Sequence, residues 1–247
     1  MNFQKLSPVD GKITLRSAVK FYVEIAAQLS YMPIHNMPGN LFIISAPSGA
    51  GKTSLVRSLL ASNQQVDMSV SYTTRAPRPS EIEGKDYHFV SRETFLSMAK
   101  QGDFLESAEV YGNLYGTSQS WIEAEISSGR DILLEIDWQG AAQVRSAFPD
   151  CISIFILPPS LQALENRLHS RGQDNTNVIT QRLHAAKADI AHVVEFDYVI
   201  INDKLDIALQ QLNAIAVAAG LRRDRQLKRQ QTLINQLQEG KITPWPA

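Results

Sequence analysis

Lys52 and Thr53 close the segment Ser45-Ala-Pro-Ser-Gly-Ala-Gly-Lys-Thr53, and their chemistry is that of phosphate binding. A lysine there is a movable cation that reaches the outer phosphates of a triphosphate, and a threonine hydroxyl can ligate magnesium. The residues before them are small: Ala46, Pro47, Ser48, Gly49, Ala50 and Gly51, with Ser54 just after. Such a loop lets several backbone N–H groups converge on one point. A helix beginning at Lys52 adds its unpaired amides and the positive end of its dipole. The usual pattern opens on Gly where this chain has Ala46, which serves only if that residue keeps a negative φ. The expected ligand is a nucleoside triphosphate.

A second set of groups follows. Arg75 and Arg78 are three apart, with Pro77 and Pro79 stiffening the backbone between and beyond them. Two guanidinium forks on a pre-ordered loop suit a bidentate grip on phosphate or carboxylate. Ser71, Thr73 and Thr74 offer hydroxyls nearby, and Tyr87 a phenol. Glu106 and Asp137 are the acidic candidates. Asp137 ends an apolar run, where open α/β sheets place their ligand groups, so it is read either as a substrate contact or as the acid on the metal side. Arg167 and Arg171, four apart, would share one helical face. The five histidines show no metal-ligand spacing, and the basic run Arg222 to Arg229 reads as a solvated helix face.

These residues need a scaffold, and the pattern supplies one. Apolar runs at 41–44, 132–137, 153–157 and 198–201 read as buried strands. Helical stretches are expected at 52–62, 92–101, 118–129, across the pair flanking Gly172, and from 205 onward. Strands alternating with helices imply an α/β fold with a parallel sheet and helical crossovers. Residues 70–120 break the alternation and read as a small mixed subdomain inserted in the core. Residues 1–39 carry a modest apolar stripe (Ala18, Tyr22, Ile25, Leu29) and then a proline-bearing linker. They read as a partner-binding or oligomerising helix, or as an extension without a chemical role, and the second is preferred because Met37 directly precedes the first strand.

Composition bounds the rest. A chain of 247 residues with net charge −1 is no general nucleic-acid coat. Its one cysteine, Cys151, excludes an internal disulfide and fits a reducing compartment. No run of about 18 apolar residues marks a transmembrane helix, and the N-terminus lacks the apolar block of a secretory signal. The expected setting is the cytoplasm, with no membrane or nucleic-acid partner; a homo-oligomer stays open.

The motifs taken together resemble those of guanylate kinases of the bacterial branch. Ser45-Ala-Pro-Ser-Gly-Ala-Gly-Lys-Thr53, Ser71-Tyr-Thr-Thr-Arg-Ala-Pro-Arg78, Gly84-Lys-Asp-Tyr87, Gly112-Asn-Leu-Tyr-Gly-Thr117 and Ile136-Asp-Trp-Gln-Gly140 occur in that family's order over residues 40–225. The resemblance implies a phosphate-loop core, a GMP-binding insert at about 70–120, a helical lid at about 165–187 and a helical tail over 226–247. It implies that Ser71, Arg75, Arg78, Tyr87 and Tyr115 grip the GMP phosphate. Glu106, Thr117 and Asp137 resemble the guanine readers, Arg167, Arg171 and Arg182 the lid arginines, and Asn202 a residue near adenine. The implied reaction is Mg²⁺-dependent phosphoryl transfer from ATP to GMP, and to dGMP, with Lys52, Arg78, Arg167, Arg171 and Arg182 carrying the charge. Non-catalytic relatives that bind phosphorylated peptides are the alternative, and they need neither the phosphate loop nor the lid arginines.

Overall fold

The computed structural model describes residues 39–79, 81–110, 112–170 and 176–240. The expectations for residues 1–38, for the tail beyond 240 and for Arg171 lie outside the described residues.

The first apolar run forms strand β1 (Leu41–Ser45), buried along its whole length. Burial on both faces is what a central strand of a parallel sheet requires. Its side chains alternate between two cores: Phe42 and Ile44 pack with Leu55, Val56 and Leu59, while Leu41 and Ile43 pack with Ile122, Ile126 and Val144. Beside β1 lie β2 (Val66–Met68), β7 (Asp131–Glu135), β8 (Ile152–Leu157) and β9 (Tyr198–Ile201), in the order β2-β7-β1-β8-β9. Every pairing in this sheet is parallel. Helices α1 (Lys52–Ser62) and α7 (Leu205–Gly220) contribute to the first core, α3 (Gln119–Ser127) and α4 (Trp138–Ala147) to the second. The carboxyl ends of β1, β7 and β9 therefore share one edge, and the site is built there.

A second, mixed sheet holds β3 (Tyr72–Thr73), β4 (His88–Phe89), β5 (Phe104–Val110) and β6 (Asn113–Ser118), in the order β4-β3-β6-β5. Helix α2 (Arg92–Gln101) covers it, with Phe95 stacked on Phe104 at 4.5 Å. Its start is capped by Ser91, whose side chain accepts the Thr94 N–H, and Gly102 ends it at φ 78°. Helices α5 (Leu161–Ser170) and α6 (Thr176–Ala191) share a small core of Leu164, Leu168, Ile179 and Ala186. The chain ends its described course in α8 (Arg223–Arg229) and α9 (Gln231–Gln238). Among the described residues no helix is long and apolar enough to cross a membrane.

Three expectations shift. The strand expected over 132–137 stops at Glu135, because the Asp137 carboxylate accepts the Gly140 N–H at 2.9 Å and starts α4. Helix α4 itself had no clear signal in the sequence. Within the basic run, Arg225 turns inward to Asp131 at 2.9 Å, so that face is not wholly solvated.

Candidate active site

The phosphate loop owes its shape to two glycines in the left-handed region, Gly49 at φ 94° and Gly51 at φ 91°. Space demands them as well. A Cβ on Gly51 would stand 2.4 Å from Asn202 Nδ2, and one on Gly49 would stand 2.9 Å from Leu164 and Leu168 of α5. The loop is braced from behind. Asn202 Nδ2 donates to the Ala50 carbonyl at 2.8 Å, and Arg167 donates to the carbonyls of Ala50 (3.3 Å) and Asn202 (2.8 Å). A carbonyl so engaged is not presented to an anion.

In front of the loop lies a cavity of about 400 Å³, lined in part by Ala46, Pro47, Ser48 and Thr53. Ser54 is exposed beside it on α1. Lys52 Nζ donates to the Ile136 carbonyl at 3.0 Å. Burial lowers its pKa, while the carboxylates of Glu135, Asp137, Asp189 and Glu106 pull it back up. Thr53 Oγ1 donates to Glu135 Oε1 at 2.5 Å, so a hydroxyl and a carboxylate meet at the loop's end.

A second cavity of about 190 Å³ adjoins the first, and Lys52 and Asp137 line both. The β5/β6 register explains its far wall. Glu106 faces Thr117 and Ala108 faces Tyr115 across the antiparallel pair, so the period of two puts all four on one face. Thr117 Oγ1 donates to Glu106 Oε1 at 2.6 Å and lies 3.2 Å from Ser71 Oγ. Glu106 is only 3 % exposed. Burial pushes its carboxyl up to about 7 and the Asp137 charge adds to this, against the pull of the Thr117 hydroxyl and Lys52. Backbone approaches it closely: a Cβ on Gly140 would stand 2.6 Å from Glu106 Oε2.

Arg75 stands behind Tyr87, which lines the pocket. Its guanidinium bonds Glu81 Oε1 at 2.7 Å and lies 5.4 Å from the centre of the Tyr87 ring. Hydrogen bonding to Glu81 raises the Arg75 pKa, and the same bond lowers that of Glu81. Burial drives the Tyr87 phenol up to about 12, so it stays a donor. Glu81 also accepts the Arg78 N–H at 2.8 Å, while the Arg78 side chain is exposed.

The structure thus gathers Ser71, Arg75, Tyr87, Glu106, Tyr115, Thr117 and Asp137 around one pocket and residues 46–53 around the adjoining one. Asn202 and Arg167 sit behind the loop, engaged with its backbone. Arg182 is on α6. Sequence reasoning passed over Glu135, Glu81 and Asp189. Glu135 was legible as a polar residue inside the apolar run 132–136, Glu81 only as one more charge on a polar loop.

A glycine-shaped phosphate loop at the carboxyl edge of a parallel sheet, opening onto a second pocket lined by side chains, defines a phosphate-loop enzyme of the phosphoryl-transfer class. A sequence profile of the guanylate kinase family matches residues 38–219. The guanylate kinase of Methylobacillus flagellatus is 56 % identical over 201 residues, covering 81 % of this chain and all of that protein. That of Thiobacillus denitrificans is 58 % identical over 199 residues, covering 81 % of this chain and 95 % of the other. The crystal structure of guanylate kinase from Anaplasma phagocytophilum matches 85 % of this chain and all of its own, with a TM-score of 0.66 at 33 % identity. The chain belongs to the guanylate kinase family.

Proposed function

We propose that the two cavities divide the substrates of this ATP:GMP phosphotransferase between them, ATP on the phosphate loop and GMP in the side-chain-lined pocket. One observation carries the reading: a buried carboxylate, hydrogen-bonded to a threonine hydroxyl, stands in a pocket that shares Lys52 with the phosphate loop. Guanine offers N1–H and N2–H donors beside its O6 acceptor. Glu106 and Asp137 oppose the donors, and Thr117 the acceptor once its hydroxyl proton turns from Glu106 to O6. Adenine reverses part of that pattern and would leave a buried carboxylate facing an acceptor, which costs far more than a misfit of shape.

Arg75, Arg78, Ser71, Tyr87 and Tyr115 grip the GMP phosphate. Glu81 and the Tyr87 ring hold Arg75 in place beforehand, so little freedom is lost on binding. A GMP phosphate oxygen attacks the γ-phosphorus, the bond to the β-bridging oxygen breaks, and ADP and GDP result. No protein nucleophile takes part; positioning and positive charge do the work. Lys52, Arg171 and Arg182 supply that charge, with Arg78, and Arg167 holds the loop that aims it. All assigned contacts go to base and phosphate, so dGMP is a second acceptor.

The Thr53 hydroxyl and Glu135 carboxylate form an all-oxygen donor pair suited to Mg²⁺, a hard ion that binds through few protein ligands and keeps phosphates and waters for the rest. When bound, the ion neutralises charge on the β- and γ-phosphates. Cys151 is buried, with its thiol pushed up to about 11, and a chain with one cysteine, which forms no internal disulfide, fits the reducing cytoplasm.

Coupled ADP formation with MgATP and GMP, dGMP, AMP, CMP or UMP tests the reading. Turnover is expected with GMP and dGMP alone. Comparable turnover with AMP would overturn the base-reading roles, and none with any acceptor would point to a binding module.

A further inference from the structure

Three residues line both cavities: Lys52, Asp137 and Val110. The first two are charged and have roles in the phosphotransfer reading. Val110 is apolar and has none so far. It ends β5, and the period of two puts it on the face that carries Glu106 and Ala108. That row runs from the buried Glu106 to the boundary with the phosphate-loop cavity, where Val110 is half-buried.

The end of the hairpin is held on both flanks. Val110 faces Asn113 across it, and the next residue, Leu114, is fixed to Thr73 and Thr74. The Leu114 N–H donates to Thr74 Oγ1 at 2.9 Å, and its carbonyl accepts the Thr74 N–H at 3.0 Å and the Thr73 hydroxyl at 3.1 Å. On the other flank Arg92 of α2 donates to Glu109 Oε2 at 3.3 Å and to the Gly112 carbonyl at 3.4 Å. The hydroxyls of Thr73 and Thr74, which take no part in the grip on phosphate, are thus used to hold the hairpin. A braced hairpin end presents a branched apolar side chain at the junction of the two cavities.

The chemistry of that junction gives the side chain a purpose. The γ-phosphoryl group of ATP can pass to a GMP phosphate oxygen or to water. When a water oxygen attacks the γ-phosphorus, the bond to the β-bridging oxygen breaks, ADP and inorganic phosphate form, and a proton leaves to solvent. Lys52 and Asp137 are charged and both hold water well. Val110 offers neither donor nor acceptor, and the apolar surface it adds strengthens the field of Lys52 on the phosphates.

We propose that Val110 determines the acceptor: its methyl groups close the junction between the two cavities to water, so that the γ-phosphoryl group passes to GMP and is not lost by hydrolysis. This rests on the phosphotransfer reading given above.

The test follows GDP and inorganic phosphate together, at saturating MgATP and GMP, in the parent, Val110→Ala, Val110→Ser and Val110→Ile. Alanine removes both methyl branches and leaves room for about one water molecule, and serine adds a hydroxyl that can hold it. Phosphate released per GDP should rise about tenfold in Val110→Ala and at least as much in Val110→Ser, with the rate of phosphate release itself increased. Val110→Ile keeps the apolar volume and should stay within about twofold of the parent. A hairpin that was merely loosened would lower GDP and phosphate formation together, so the ratio and the absolute rate separate the two effects. A ratio within about twofold of the parent in both Val110→Ala and Val110→Ser would overturn the proposal. So would an equal rise in Val110→Ile, which would assign the effect to disturbance of the hairpin. Absence of GDP formation in the parent would instead sink the phosphotransfer reading, and the proposal with it.

Discussion

The phosphate loop and the pocket we assign to GMP solve recognition in opposite ways. The loop is a continuous stretch, residues 46–53, and it works through backbone: two left-handed glycines shape it, and Asn202 and Arg167 engage the one carbonyl at Ala50. The pocket draws its groups from separate segments, Ser71, Arg75, Tyr87, Glu106, Thr117 and Asp137, and works through side chains whose protonation matters. Apart from the Lys52 cation, a backbone site tolerates changes of charge but not of shape. A side-chain site tolerates modest changes of shape but not of charge.

That contrast can be broken from both sides. The largest effect is expected for Lys52→Ala, which removes the cation shared by the two cavities. Turnover should fall by roughly 10²–10³-fold or more, with circular dichroism and Tm showing a folded protein; a near-normal single-turnover rate would remove Lys52 from the chemistry. Gly51→Ala comes next. Its Cβ would need φ 91° and would meet Asn202 Nδ2 at 2.4 Å. ATP affinity by calorimetry should collapse while GMP affinity stays within a few-fold, and equal loss of both would dissolve the distinction between the regions.

Glu106→Gln is the charge test on the other side. GMP affinity should drop by about 10²-fold, and selection against AMP should weaken in competition assays. Stability should move the other way. The Glu106 carboxyl titrates at about 7 in the fold against an ordinary 4.5. The stability it contributes is therefore full below 4.5 and lost as pH rises through 7. At pH 8 the parent carries a penalty on the order of 3 kcal/mol that the glutamine lacks. The Tm of the variant should exceed that of the parent by a gap that widens from pH 5 to pH 8. The smallest effect is expected for Asn202→Ala, which removes one bond to Ala50. Stability should fall by about 1 kcal/mol in urea unfolding, with a several-fold rise in the KM for ATP and none for GMP.

The same contrast decided what could be read from sequence. Residues 41–53 carry a strand, a loop and a helix start in one window, so fold and chemistry are legible together there. The parallel sheet followed from apolar runs long enough to show a pattern, as at 153–157. Strand β3, of two residues, is too short for period-two alternation to register. Helix α4 was missed because only Gly140, Ala141 and Val144 are buried along it, a stripe with little apolar bulk. Thr117, and the role of Glu106, were identified through resemblance. Their pairing comes from a β5/β6 register with an irregularity between Phe104 and Glu106, which no local pattern announces. Glu135 looked like one polar interruption of an apolar strand, and its meaning depends on Thr53, 82 positions away.

The claim that Glu106 reads guanine as a carboxylate is tested most directly by GMP affinity as a function of pH. The measurement is calorimetric, from pH 5.5 to 8.5, on the parent and on Glu106→Gln, whose own profile removes the titration of the GMP phosphate and of the remaining groups. Protonation of Glu106 turns an acceptor into a donor facing guanine's N–H groups. The difference between the two proteins should therefore be constant above about 7 and shrink toward tenfold per pH unit below it. A difference that stays flat across the whole range would show that the Glu106 charge takes no part in recognising the base.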